Sequence, residues 1–100
     1  MDKQSEKWRQ FVEAVERKIS NRIEKLSPER DALMNGKIGV DEISYLSSGE
    51  RAAVLLAARK EHALESSLFT FMRLDDDLQA FVLLSRGRPD LIGSRIASNL

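Results

Sequence analysis

The chain contains no cysteine, and it also lacks the long apolar run of a membrane-spanning protein. Without cysteine there is no disulfide framework, no thiolate nucleophile and no cysteine-based zinc site, which fits a reducing compartment. The longest uninterrupted apolar run, 52–58, is far shorter than the ~18 residues that a membrane span needs. The polar N-terminal residues lack the apolar core of a signal peptide. We therefore expect a cytoplasmic protein without membrane contact.

An excess of charge is also absent, because 16 Lys and Arg residues are balanced by 16 Asp and Glu residues. A chain with zero net charge has no overall basic field to attract nucleic acid, so a nucleic-acid partner is disfavoured. The apolar fraction of 42% is ordinary for a globular chain, and 100 residues correspond to one domain, 1–100.

Histidine occurs only once, at His62, beside Glu61 and Glu65. A di-iron bundle needs two Glu-x-x-His motifs and two further glutamates, and this chain has one reversed copy. His62 also has no triad spacing that would activate a serine or threonine. We therefore expect no metal, no cofactor and no enzymatic activity.

What the chain does contain is helical periodicity punctuated by cap and stop residues. In residues 2–26 the apolar side chains recur at steps of three and four, which predicts an amphipathic helix. Ser27-Pro28-Glu29 predicts a helix restart, and Asn35-Gly36 predicts its stop. Asp41 is then expected to cap a brief helix through Leu46.

The second half of the chain also has cap and stop residues between its apolar segments. Ser47 to Glu50 matches a capping box and predicts a helix from Arg51 to about Leu74, with Ser66-Ser67 as a candidate break. Residues 52–58 are apolar on all sides, which is typical of a helix surrounded by others. Residues 75–77 are expected to cap a helix that ends near Arg86-Gly87, and Pro89-Asp90 to start a last helix through Ile96.

No segment shows the alternation of a strand. The predicted fold is all-α, a compact bundle of about five helices with a central apolar helix that starts near Ser48.

Two segments have features of DNA-binding motifs. Arg86-Gly87-Arg88-Pro89 resembles the core of the AT-hook, although a helix stop at Gly87 and a helix start at Pro89 explain the same residues. Residues 40–59 can be arranged as a helix-turn-helix, but residues 51–58 would then read the bases and offer few polar side chains. A small DNA-binding regulator is therefore the alternative hypothesis.

The surplus of apolar residues between Leu64 and Leu84 suggests where binding occurs. Phe69 and Phe71 point in nearly opposite directions on one helix, so we expect one of them in the core and the other in an interface. In the other interpretation, flanking helices cover both. The predicted partner-binding residues are Phe69, Phe71 and Met72, with the charged residues Arg86, Arg88, Arg95, Asp75, Asp76 and Asp77. The three aspartates do not match a calcium loop, so capping and contact with a basic partner are their candidate roles.

These observations predict a small, non-catalytic protein-interaction module, acting as an inhibitor, adaptor or regulatory subunit. It would occlude or bridge the surface of a partner protein or of a second copy in a homodimer. In size and texture, the chain resembles the small helical inhibitors of phages and mobile elements, anti-CRISPR proteins among them. That resemblance involves no shared motif and implies only non-catalytic binding.

Overall fold

The computed structural model describes residues 3–64 and 66–100, and all regular structure in these ranges is helical. Five α-helices span Lys3–Met34 (α1), Ser48–Ala57 (α2), Ser67–Arg73 (α3), Asp76–Ser85 (α4) and Ser94–Asn99 (α5). Three short 3-10 helices span Val40–Ile43, Glu61–Ala63 and Pro89–Leu91. The predicted all-α bundle of about five helices is therefore confirmed. None of the helices in the described ranges is both long enough and apolar enough to cross a membrane.

The central helix is α2, as predicted from its apolar run. All residues from Ala52 to Ala58 are buried, and the helix packs most extensively against α4 and then against α1 and α3. The core that surrounds it also contains these residues: Val15, Ile19, Leu26, Leu33, Ile43, Leu74, Leu78, Ala80, Phe81, Val82, Leu83, Ile92 and Ile96. Burial of each large apolar side chain contributes about 1.5–3 kcal/mol before the entropy of ordering is counted.

The first helix does not end near Leu26, and the predicted restart at Ser27 is wrong. α1 continues through Pro28 to Met34. Proline lacks the N–H that would bond the carbonyl of Glu24, but both residues lie on the exposed side of the helix, where water can reach that carbonyl. Leu26 and Leu33 on the opposite side are both buried, so packing on either side of the proline keeps the helix continuous.

Two glycine stops occur where the sequence predicts them. Gly36 after α1 and Gly87 after α4 have φ angles of +71° and +70°, in the left-handed region that glycine adopts without a steric penalty. Behind α1, the N–H of Lys37 donates to the carbonyl of Ala32 at 2.8 Å, which is the bond of a Schellman cap.

The start of α2 is predicted correctly, but its end is not. Ser47 is the N-cap, and its hydroxyl accepts from the N–H of Glu50 at 3.2 Å. The helix ends at Ala57 instead of near Leu74, because Arg59 adopts a φ of +61° and reverses the chain. A helix continued to Leu74 would be about 40 Å long. The early end instead lets the chain fold back against the bundle.

Two shorter predictions also need correction. The segment that Asp41 was expected to cap is the 3-10 helix Val40–Ile43, whose N-cap is Gly39. Its amide donates to the carboxylate of Glu42 at 2.6 Å. The single helix expected from Pro89 to Ile96 is divided into a 3-10 helix and α5, because Ile92 and Gly93 are extended.

Candidate functional site

Local side chains determine both ends of the short helix α3. The hydroxyl of Ser66, the N-cap, accepts from the N–H of Phe69 at 3.4 Å. The helix ends at Arg73, after which Leu74 is extended and Asp75 caps α4. Ser66-Ser67 is thus the start of a separate helix.

The outer face of α3 carries three large apolar side chains. Leu68, Phe69 and Met72 are 75%, 57% and 65% exposed, and together they form what we call the apolar band. Phe71 is half-buried and packs against the core, since at 3.6 residues per turn it points about 200° away from Phe69. Three of the seven exposed large apolar side chains in the described residues therefore lie on this one short helix.

An open groove of about 300 Å³ lies beside the apolar band, between α2, α3 and α4. It is lined by Leu56, Leu68, Phe71, Val82, Leu83 and Arg86. Leu56 and Val82 belong to the buried core, so the floor of the groove is the core itself. A dry apolar cavity of ~150 Å³ binds one benzene molecule, so this groove has room for about two rings or branched side chains.

Cationic side chains border this apolar surface on two sides. Arg86 lines the groove and forms an ion pair with Glu61, while its Nε is buried without a hydrogen-bond partner in the described residues. Burial and the nearby charge of Arg59 lower the pKa of Arg86. On the far side of the band, the guanidinium of Arg73 lies 4.4 Å from the centre of the Phe69 ring, in cation–π contact.

A buried glutamine attaches α3 to the bundle. Gln79 on α4 is 4% exposed, and its Nε2 donates to the carbonyls of Phe71 at 3.2 Å and Leu74 at 3.0 Å. Both carbonyls lie at the C-terminal end of α3, where that of Phe71 also accepts from the N–H of Leu74 at 3.1 Å. Gln79 therefore holds the end of α3 in place. The helix contributes no fully buried apolar side chain of its own among the described residues.

The three aspartates predicted to bind a partner, Asp75, Asp76 and Asp77, form ion pairs within the chain. Arg22 of α1 donates to Asp75 at 3.2 Å and to Asp77 at 2.6 Å, and Arg95 of α5 donates to Asp76 at 3.2 Å. Asp75 is also the N-cap of α4, which is the capping role that the sequence suggests. The aspartates therefore join α4 to α1 and α5.

The two aspartates that share Arg22 differ in acidity. Burial raises the pKa of Asp77, and the adjacent carboxyl of Asp75 raises it further against the effect of Arg22. For Asp75, burial acts in the same direction, but hydrogen bonds from Asp77 and Arg22 outweigh it and lower the pKa.

Of the predicted binding residues, the structure brings together Phe69, Phe71, Met72 and Arg86 around α3. Arg88 is engaged elsewhere, because it donates to Asp90 through two bonds of 3.0 and 2.9 Å. The predicted binding residues do not include several residues in or near the groove and the band, namely Leu56, Arg59, Leu68, Arg73, Val82 and Leu83. Leu68, Val82 and Leu83 had a readable signal, because they belong to the apolar surplus between Leu64 and Leu84, and Arg73 directly follows Met72.

The segments with DNA-binding features are built into the bundle. Residues 52–58, which would form most of the reading helix, are buried in the core and therefore present no side chains to bases. Arg86 to Pro89 form a folded turn in which Arg86 caps α4, Gly87 reverses the chain and Pro89 starts a 3-10 helix. The structure thus supports the helix stop and helix start as the explanation of these residues.

No group of three potential metal ligands occurs within residues 3–64 and 66–100. In the cluster of Glu61, His62 and Glu65, Glu61 binds Arg86, and Glu65 lies outside the described residues.

No protein-family model matches this chain, and the searches of curated proteins and solved structures also find no match.

Proposed function

We propose that this protein is a non-catalytic interaction module that binds another protein chain through the apolar band and the adjoining groove. The observation that supports the proposal is the exposure of Leu68, Phe69 and Met72 on one short helix whose opposite side already contacts the core. Folding of the single chain leaves these side chains in water, and binding would remove them from it.

The energetic argument depends on the size of the exposed side chains. Burial of a large apolar side chain contributes about 1.5–3 kcal/mol, so three of them can supply much of the free energy of a specific complex. Aromatic residues, Met and Arg are also the residue types enriched in interface cores. Phe69 and Met72, bordered by arginines, therefore have the composition of a binding surface.

Whether the protein acts as an inhibitor, an adaptor or a regulatory subunit would depend on how binding to this surface changes the activity of the partner. The proposal includes a cytoplasmic setting, for which the lack of cysteine is the supporting observation.

Site-specific photo-crosslinking would test the proposal. A photoreactive phenylalanine analogue replaces Phe69 in one protein and Tyr45 in a second, which is the matched control because Tyr45 is also an exposed aromatic residue, at 68%. In cells of the natural source, we expect a discrete adduct from position 69 that Met72→Ser removes, and no such adduct from position 45. Identical adduct patterns from both positions would contradict the proposal.

Stability measurements must accompany this experiment. Phe69→Ser should leave the free energy of unfolding within about 0.5 kcal/mol of wild type, because the ring is exposed. Phe71→Ser should lower it by about 2 kcal/mol or more, since Phe71 packs on the core. Loss of the adduct in a variant that remains folded then reports on binding.

A further inference from the structure

The shape of the groove favours a helical segment of a partner over a flat surface. The groove has room for about two large apolar side chains, and the apolar band extends the surface by Phe69 and Met72 on its outer side. An amphipathic helix presents its apolar residues at i, i+3, i+4 and i+7, so two of them can enter the groove while the others lie on the band.

The charges around this surface are cationic on both sides. Arg86 lines the groove, the exposed Arg59 is near enough to Arg86 to lower its pKa, and Arg73 lies against the ring of Phe69 on the other side of the band. Within residues 3–64 and 66–100, neither Arg59 nor Arg73 forms an ion pair, whereas Arg86 already pairs with Glu61. The surface therefore has donors and positive charge to offer a partner carboxylate.

A second copy of the chain matches this surface poorly. Side chains of ~150–250 Å² each, about two-thirds exposed, give the band on the order of 400 Å², against about 800 Å² per partner in a standard interface. A two-fold interface also brings the same patch from both copies together. Arg59 and Arg73 would then meet an interface that is bordered by the same cations.

Single-stranded nucleic acid is the other polyanionic candidate, and the structure favours it less. Such binding needs a continuous basic groove together with free aromatic faces. Here Arg73 covers one face of Phe69, Glu61 already pairs with Arg86, and the net charge is zero.

We infer that the occupant of the groove is an amphipathic helix of a partner protein, with acidic residues flanking its apolar face. This inference depends on the proposed interaction function and specifies the chemistry of the partner. Apolar side chains of the helix would fill the groove between α2, α3 and α4, and its carboxylates would accept hydrogen bonds from Arg59 and Arg73.

The test uses synthetic helical peptides and the full chain. One fluorescent, Ala-rich peptide carries Leu at i, i+3, i+4 and i+7 with Glu at the flanking positions, and a second carries Lys in place of Glu. We expect the Glu peptide to bind at least roughly tenfold more tightly by fluorescence anisotropy at low salt. The difference should shrink as salt screens the exposed charges.

Variants of the chain assign this preference to the arginines. Arg59→Gln/Arg73→Gln should reduce the preference for the Glu peptide by roughly tenfold, because each exposed charge pair contributes up to a few-fold in affinity. The matched control is Arg17→Gln/Arg51→Gln, which removes two exposed arginines from α1 and α2 and should leave the preference unchanged.

The outcomes separate this inference from the proposed function. Equal binding of both peptides, weakened alike by Phe69→Ser, overturns the acidic partner and leaves the interaction surface standing. No binding of the Glu peptide up to about 1 mM also overturns the inference, while photo-crosslinking at position 69 tests the proposed function independently.

A wild-type dimer that Phe69→Ser dissociates would identify a second copy as the occupant. Tight, steeply salt-dependent binding of a single-stranded oligonucleotide would identify nucleic acid, and either result overturns the inference.

Discussion

At the scale of single residues, the exposed surface of α3 depends on one buried polar side chain. Gln79 provides two hydrogen bonds to the carbonyls of Phe71 and Leu74, so the end of α3 is held by polar contacts and by the half-buried ring of Phe71. A helix held in this way can keep Leu68 and Met72 in solvent. The opposite placement of Phe69 and Phe71 agrees with their spacing in the sequence, while the interface role of Phe69 stays a prediction.

The first prediction concerns this glutamine. Gln79→Met keeps the length of the side chain but removes both donors, and it leaves two carbonyls without those partners. We expect the free energy of unfolding to fall by about 1–3 kcal/mol in urea titrations. Gln10→Met, an exposed substitution on α1, is the control and should change stability by less than about 0.5 kcal/mol. Equal stability of the Gln79 variant and wild type would show that these bonds do not hold α3.

At the scale of the helices, the most unusual element is α1, which accommodates Pro28 in its interior. Pro28→Ala restores an N–H for the carbonyl of Glu24 and removes the clash of the ring with the preceding turn. We expect it to stabilise the protein by about 1–2 kcal/mol, somewhat less than the ~3 kcal/mol helix penalty of proline because the unfolded chain gains freedom. Thermal unfolding followed by circular dichroism measures the change. If a new helix instead began at Pro28, where proline is favoured, the substitution would produce no gain.

The end of α2 leads to a third prediction. Arg59 holds a φ of +61°, a conformation that costs a residue with a Cβ atom about 1 kcal/mol or more relative to glycine. Arg59→Gly should therefore raise the melting temperature even though it removes a large side chain. Lys60→Gly is the control: the φ of Lys60 is −105°, so glycine relieves no strain there and should lower the melting temperature. Destabilisation by Arg59→Gly would show that the arginine side chain contributes more than the backbone costs.

The helix boundaries show what the sequence can predict. Starts at Ser47 and Asp75 and stops at Gly36 and Gly87 are readable because a side chain or a missing Cβ atom acts locally. The continuity of α1 is not readable in the same way, because it depends on burial of residues on both sides of Pro28 against other helices. The early end of α2 at a residue other than glycine is equally dependent on tertiary packing.

The candidate site could be predicted only in part for the same reason. An excess of apolar residues on α3 is visible in the sequence, as is the divergence of Phe69 and Phe71. The groove is not visible, because Leu56 and Val82 come from two other helices and meet α3 only after folding.

At the scale of the whole molecule, the balanced charges are used to join helices. Arg22 connects α1 to the start of α4, Arg95 connects α5 to α4, and Lys25 lies 3.4 Å from the carboxylate of Glu50 at the start of α2. The carboxylates in these pairs lose their charge in acid. The stability of the bundle should therefore depend on pH in the acidic range.

Glu50 provides the clearest test of this dependence. The hydroxyl of Ser47 donates to its carboxylate at 3.0 Å and lowers its pKa below the ordinary value of 4.5, against the effect of burial and with help from Lys25. The folded state therefore binds the proton less tightly than the unfolded state. The contribution of this carboxylate to stability is complete above about pH 4.5 and is lost as the pH falls through the lower folded value.

Glu50→Gln keeps a side chain that suits its position in the cap but cannot ionise. We expect it to be less stable than wild type at pH 7 and the difference in unfolding free energy to shrink as the pH falls to about 3, where wild type also carries a neutral group. Urea titrations at several pH values measure this difference. Glu13→Gln, which changes an exposed carboxylate on α1, is the matched control for this substitution and should change stability at pH 7 by less than about 0.5 kcal/mol. A difference for Glu50→Gln that stays constant from pH 7 to pH 3 would contradict the prediction, because the effect would then come from the shape of the side chain and not from its charge.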